Sequence, residues 1–161
     1  MDDQAQVPPP VEPPRGMYPG RLDEKGRLKL PVPFQEYLSR LPEKKLFVTS
    51  LNRRIAQIYP IGVWRENERF FETYRDDPVK AANVAFTAAD LGADAEMDGQ
   101  GRVLFPPELR RELGIENQPV RLYAYRGRIE VLSEATYEAR RRQSTQSPEA
   151  DVVALEQAGL K

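Results

Sequence analysis

The sequence predicts a mixed α+β protein, mainly β, in which two hairpin units interlock as a fused pseudo-dimer with short flanking helices. Residues 22–31 repeat as residues 97–106, with Asp, Gly, Arg and Pro identical and the apolar positions alike in type. Both segments have the strand and turn pattern of a β-hairpin. Each copy spans only about 45 to 50 residues, a size at which a chain struggles to bury enough apolar surface to offset conformational entropy. We therefore expect the two copies to share one core.

Each copy predicts the same order of elements: strand, tight turn, strand, short helix, hairpin, helix. Asp23 and Asp98 begin the two turns, and Gly26 and Gly101 hold the fourth position. Asp first and Gly fourth are the preferences of a type I turn that closes a hairpin with a glycine bulge. Because proline ends a strand and suits the first helical turn, a short helix is expected after the Pro that follows each motif. The later predicted hairpins join residues 46–51 to 55–59 and 120–125 to 129–132, and the predicted connecting helices cover about residues 62–75 and 79–91.

Five segments are predicted along the chain. Residues 1–17 include a stretch in which five of seven consecutive residues are proline, which predicts an extended, disordered tail of polyproline II character. The first repeat with its following helix covers residues 18–76, a helical connector covers 77–93, and the second repeat covers 94–140. Residues 141–161 are predicted to form a polar C-terminal tail.

The composition excludes most catalytic classes. The chain of 161 residues has neither cysteine nor histidine, so it cannot form disulfides, the usual Cys/His zinc site, a Ser-His-Asp triad or a thiol nucleophile. It has no apolar run approaching the roughly eighteen residues of a membrane span, and its acidic, proline-rich start differs from a secretory signal. We expect a cytoplasmic binding protein with no cofactor, no metal and no membrane partner, and not an enzyme.

Charge is unevenly distributed along the chain, whose formal net charge is −1. Residues 21–65 carry ten basic and four acidic side chains, a net charge of +6, whereas residues 66–97 carry three basic and eight acidic ones, a net charge of −5. A DNA-binding surface needs Lys and Arg to displace counterions from phosphates. The basic segment therefore keeps nucleic acid among the expected partners.

The repeated arginines are the candidate DNA-binding residues. Arg27 and Arg102 leave the two tight turns on neighbouring strands, so their forked guanidinium groups can face outward for bidentate contact with phosphate or guanine. The flanking positions hold Lys25 and Lys29 in the first copy and Gln100 and Leu104 in the second. The first copy is therefore expected to bind DNA more strongly.

A structural role for the same motif stays open. Asp23 can pair with Arg27, and Asp98 with Arg102, across each turn. Such pairs would brace the hairpins, and a brace is compatible with DNA contact by the same arginine.

Three other patterns are weaker candidates. Residues 94–99 imitate the opening of a calcium loop, but Phe105 stands where the bidentate carboxylate is needed, so no metal site is predicted. The four aromatic side chains of residues 64–74 have helical spacing and are expected in the core or a subunit interface rather than as a base-stacking platform. The arginine run at residues 140–142 is expected to be solvated.

The two turn motifs resemble the paired D-x-x-x-R motifs of the MraZ family. The likeness rests on residues 22–31 and 98–110. Residues 58–64, which run from Ile-Tyr-Pro to Trp, are similar to the tyrosine-proline-to-tryptophan segment between the copies in that family. Together the resemblance covers about residues 18–140.

The resemblance implies a swapped-hairpin barrel of the SpoVT-AbrB class, doubled within one chain. It also implies a bacterial transcriptional regulator, associated with the nucleoid, that assembles into homo-oligomeric rings. Such a regulator binds direct repeats in double-stranded promoter DNA upstream of the division and cell-wall gene cluster that includes its own gene. Two other classes stay open: a protein-interaction ring or scaffold, and a carboxylate and metal hydrolase, which the scatter of the acids over turns and connector disfavours.

Overall fold

The computed structural model describes residues 10–161. The strands are β1 Tyr18–Arg21, β2 Arg27–Lys29, β3 Leu46–Thr49, β4 Ala56–Pro60, β5 Ala93–Ala95, β6 Arg102–Leu104, β7 Pro119–Tyr125 and β8 Arg128–Ser133. The helices are α1 Val32–Ser39, α2 Ile61–Thr73, α3 Pro78–Leu91, α4 Pro107–Leu113, α5 Glu134–Ser144 and α6 Pro148–Ala158. The first residues of the predicted tail, 1–9, lie outside the described part, and 10–17 contain neither helix nor strand.

The mixed α+β class and the predicted elements are confirmed, but the expectation of a mainly β protein is wrong, because the helices contain more residues than the strands. The predicted hairpins form as the antiparallel pairs β3–β4 and β7–β8. The short helices α1 and α4 follow Pro31 and Pro106, and α2 and α3 lie within two residues of the predicted connecting helices. The expected boundary at residue 140 falls inside α5, whose first turn is capped by Ser133, because the Ser133 hydroxyl accepts a 3.1 Å hydrogen bond from the Thr136 amide.

Strands are exchanged between the two copies. The larger sheet has the order β1-β7-β8-β4-β3-β5, and every pairing in it is antiparallel. Its two edges are the first strand of each copy, and each edge strand pairs with the hairpin of the other copy. In register, Tyr18 lies opposite Leu122 and Leu46 lies opposite Ala95. Neither copy therefore completes its sheet from its own residues.

The strands that follow the two turns form a separate two-stranded ribbon, β2–β6. Leu28 lies opposite Val103, Arg27 opposite Leu104, and Lys29 opposite Arg102. Since Leu28 and Val103 are equivalent in the repeat, the ribbon has a pseudo-two-fold axis at this pair. Its alternation places these two apolar side chains inward, where both are fully buried, and the four neighbours outward.

Both copies contribute to one hydrophobic core. Its largest fully buried side chains include Phe34 from α1, Phe105 beside the ribbon and Leu109 from α4. Leu22 and Leu28, which form an isolated antiparallel bridge, close the first turn over the same core. The expectation that the two copies share a core is confirmed.

A smaller cluster lies between α2, α3 and the sheet, where Trp64 stacks on Phe47 with ring centroids 4.5 Å apart. The aromatic side chains of residues 64–74 differ in burial, since Trp64 is buried whereas Phe70 is 54% exposed. None of the helices within residues 10–161 combines the length and the apolar composition of a membrane span.

Candidate nucleic-acid interface

The first motif forms a tight turn around the carboxylate of Asp23. The amides of Lys25 and Arg27 each donate a 2.9 Å hydrogen bond to Asp23 Oδ1, and Arg27 Nε donates a 2.8 Å bond to Asp23 Oδ2. Two backbone bonds complete the turn, from the Gly26 amide to the Asp23 carbonyl and from the Asp23 amide to the Arg27 carbonyl. Gly26 has a φ of 82°, a left-handed conformation that a side chain would strain. Asp at the first position therefore organises the whole turn.

The second motif repeats this geometry bond for bond. Asp98 Oδ1 accepts 2.9 Å bonds from the amides of Gln100 and Arg102, and Asp98 Oδ2 accepts a 2.8 Å bond from Arg102 Nε. Gly101 has a φ of 77°. The type I turns with glycine in the fourth position are thus confirmed, and the Asp-Arg pairs that the sequence left open as braces do form in both copies.

Hydrogen bonding holds both motif carboxylates in the charged form. The amide of Arg27 is the largest cause of the lowered pKa of Asp23, and the amide of Arg102 is the largest cause of the lowered pKa of Asp98. The guanidinium groups lower the same pKa values further, while partial desolvation opposes the shift. At neutral pH each turn is therefore built on an ionised aspartate.

The brace leaves the terminal nitrogens of each arginine without hydrogen-bond partners among the described residues. Within residues 10–161, Arg27 and Arg102 bond to the aspartates through Nε, and their terminal Nη groups make no hydrogen bond. Their side chains are 29% and 25% exposed. An arginine oriented through Nε presents its two Nη groups as a fixed pair of donors, which matches a phosphate or a guanine edge. The two roles considered for these residues are geometrically compatible.

The outer face of the ribbon carries three cations and one apolar side chain. Lys29 and Leu104 are exposed and stand beside the two arginines. The strand register determines which arginine each flanking residue lies beside. Lys29 lies directly opposite Arg102, and Leu104 lies directly opposite Arg27. The expected advantage of the first copy therefore cannot rest on Lys29, which both arginines share. Lys25 and Gln100, both exposed, lie in the turns themselves.

Each turn rests on the helix of the other copy, a contact that the sequence analysis missed. A Cβ atom on Gly26 would overlap the guanidinium of Arg110 in α4, and one on Gly101 would overlap the carboxamide of Gln35 in α1. The positive φ at both positions requires glycine, whereas an added Cβ atom would have to displace only the flexible ends of these two side chains. The only signal in the sequence is that Gln35 and Arg110 are equivalent under the repeat offset.

We expect the stability of the protein to depend on the ionised aspartates of the turns. A carboxylate whose pKa is depressed on folding stabilises the fold above its unfolded pKa, and this contribution is lost as pH falls through the lower, folded pKa. The melting-temperature difference between wild type and the Asp23→Asn, Asp98→Asn double variant should accordingly be largest near neutral pH and shrink as pH falls below the ordinary aspartate pKa of about 4 and through the lower, folded pKa.

Differential scanning calorimetry at several pH values measures this difference. Asp76→Asn, at an exposed position between α2 and α3, is the matched control and should change the melting temperature much less than the double variant does. A gap between wild type and double variant that stayed constant from neutral to acid pH would contradict the argument.

The sequence is similar to one family of known proteins over most of its length. Residues 91–155 match the family model described as "MraZ protein, putative antitoxin-like". A protein of Acidobacterium capsulatum named transcriptional regulator MraZ is 30% identical over 146 residues, which are 91% of this chain and 99% of the relative. The protein of the same name from Variovorax paradoxus is 33% identical over 131 residues, covering 81% of this chain and 89% of the relative.

Fold and motif together define a class of protein: an α+β chain with an internal repeat, in which two Asp-Arg turns meet at one two-stranded ribbon. The resemblance seen in the motifs extends over most of the chain in both relatives. The chain belongs to the MraZ family.

Proposed function

We propose that this chain is a sequence-specific DNA-binding transcriptional regulator without catalytic activity. The observation that carries the proposal is the pseudo-symmetric ribbon, which displays Arg27, Lys29 and Arg102 on one outer face over a buried apolar pair. The names of the two relatives support the same function. Among residues 10–161, no three potential metal-ligating side chains gather in one place, so a carboxylate and metal hydrolase gains no support.

The two-stranded form of the ribbon suits it to reading DNA. A two-stranded β-ribbon enters the major groove of B-DNA, where base edges are distinguishable. In this mechanism Arg27 and Arg102 offer their Nη pairs to guanine or phosphate, and Lys25 and Lys29 attract phosphates. Gln100 contributes a neutral amide at the second turn. The aspartates keep the arginines in position before DNA arrives, which reduces the entropy lost on binding.

We propose that the open sheet and the ribbon together make a doubled swapped-hairpin barrel of the SpoVT-AbrB type. The proposal is supported by the connectivity, because each edge strand of the open sheet leads through a motif turn into the ribbon. The proposed units are the first repeat over 18–76, a helical connector over 77–93 and the second repeat over 94–140. The tails are proposed to be residues 1–17 and 141–161.

The proposed targets are direct repeats in the promoter of the division and cell-wall gene cluster that includes the protein's own gene. These targets, and a location at the nucleoid in the cytoplasm, are proposed because of the family resemblance. The test is an electrophoretic mobility shift with that promoter fragment in equal excess of unrelated DNA, over a series of salt concentrations. Preference for the promoter, weakening steeply with salt, is expected. A scaffold that only binds proteins would show no preference for either DNA.

Self-association into a ring is proposed as well. One chain offers a single ribbon, so useful affinity for successive repeats requires several linked copies. Light scattering at micromolar concentration should give a mass several times that of the 18.4 kDa chain. A monomer alone, with and without promoter DNA, would contradict this expectation.

A further inference from the structure

The two motif turns differ in the residue that lies beneath them. The guanidinium of Arg110 packs on Gly26 of the first turn, whereas the neutral carboxamide of Gln35 packs on Gly101 of the second. The turns are otherwise equivalent in backbone conformation and in their Asp-Arg hydrogen bonds. The internal repeat thus supplies a comparison in which the residue beneath the turn changes from neutral to cationic.

Arg110 is a buried cation with little compensation. Its side chain is only 13% exposed. Among residues 10–161, its Nε has no hydrogen-bond partner, and its one carboxylate neighbour is Glu116 at 3.7 Å, whose side chain is 55% exposed. A cation that is desolvated without full pairing destabilises the fold. Gln35 meets the same packing need with an amide and donates a 2.7 Å hydrogen bond from Nε2 to the Leu30 carbonyl. Packing alone therefore gives no reason for a charge at residue 110.

We propose that Arg110 is an electrostatic positioning residue for DNA, which raises the positive potential of the first turn without touching a base. It lies directly under the loop that displays Lys25 and Arg27, on the side opposite to solvent. Low-dielectric surroundings strengthen the field of a buried charge at the surface above it. The inference rests on the proposed DNA-binding function and makes the first turn the stronger phosphate site, now for a reason other than its flanking lysines.

A pair of reciprocal variants of the full chain tests the inference. Arg110→Gln gives the first turn the neutral neighbour that the second turn has in the wild type. Gln35→Arg gives the second turn the cationic neighbour that the first turn has. At about 50 mM salt, Arg110→Gln should weaken binding of the promoter fragment about 3- to 10-fold, and Gln35→Arg should strengthen it. Both differences should shrink at about 300 mM salt, where screening is stronger. The melting temperature of Arg110→Gln should stay level or rise, since an uncompensated buried charge is removed.

Combination with the motif variants assigns the effect to one turn. Arg110→Gln should retain its effect in the Arg102→Ala background and lose it in the Arg27→Ala background, where the first turn no longer holds DNA. The inference is overturned if both reciprocal variants bind like wild type, or if Arg110→Gln lowers stability and affinity together at every salt concentration, which is the signature of a packing role. In either case a loss of binding in the Arg27→Ala, Arg102→Ala variant would still support the proposed function. Binding that survived that double variant would contradict the proposed site itself.

Discussion

Arg27→Ala should weaken specific DNA binding by about 1 to 3 kcal/mol and reduce the salt dependence of binding. Arg102→Ala should act in the same direction, because it occupies the equivalent place on the ribbon with Lys29 beside it. The double variant should have almost no preference for promoter DNA, since both Nη pairs on the outer face are gone. Each brace is partly exposed, so folding stability should change by less than about 1 kcal/mol per substitution.

Fluorescence anisotropy with labelled promoter DNA measures the loss, and urea unfolding measures the stability of the same samples. Arg75→Ala, an exposed cation beyond the end of α2, is the matched control and should bind like wild type. If Arg27→Ala instead unfolded the protein or dissolved the oligomer while the folded fraction bound normally, the motif would act only as a brace.

Phe105→Ala should lower the free energy of unfolding by about 3 to 5 kcal/mol, the usual cost of removing a fully buried aromatic ring. Phe105 is 0% exposed, and its amide donates a 2.9 Å hydrogen bond to the Gly26 carbonyl. The residue therefore joins the second copy to the turn of the first. Because the core is shared, the loss should destabilise both copies together.

The single tryptophan of the chain makes this cooperativity measurable. Trp64 lies in α2, which follows the hairpin of the first copy, and its fluorescence should report the same lowered urea midpoint as far-UV circular dichroism at a fixed protein concentration. Leu104→Ala, at the preceding residue, which ends β6 and is 55% exposed, should change the stability by less than about 0.5 kcal/mol. Two separate transitions, with the Trp64 signal unmoved by Phe105→Ala, would mean that the copies fold independently.

Local chemistry made the turns and hairpins predictable. Asp first and Gly fourth specify a turn whatever surrounds it, and the geometry around Asp23 and Asp98 follows from those two residue types. The alternation around Leu28 and Val103 likewise identified which side chains face the core. These features depend on neighbours within a few residues.

Contacts between distant segments were not predictable in the same way. Periodicity indicates which face of a strand is buried, but not which strand lies beside it, so the placement of Lys29 opposite Arg102 was missed. The contact of Arg110 with Gly26 depends on where α4 packs after the copies have exchanged strands. The repeat offset equates Arg110 with Gln35 without indicating that each reaches across to the other copy.

The exchange of strands also delays the pairing of β1 while the chain is being synthesised. β1 pairs with β7, which lies about a hundred residues later in the chain. At a synthesis rate of about 5 to 20 residues per second, the first strand waits roughly 5 to 20 s for its partner. During that interval β1 has no partner, and β3 and β4 lack their neighbours β5 and β8. Unpaired edges of this kind are templates for pairing with another nascent chain. The topology that joins the two repeats into one core therefore also exposes the emerging protein to strand exchange with other chains that are being translated from the same mRNA.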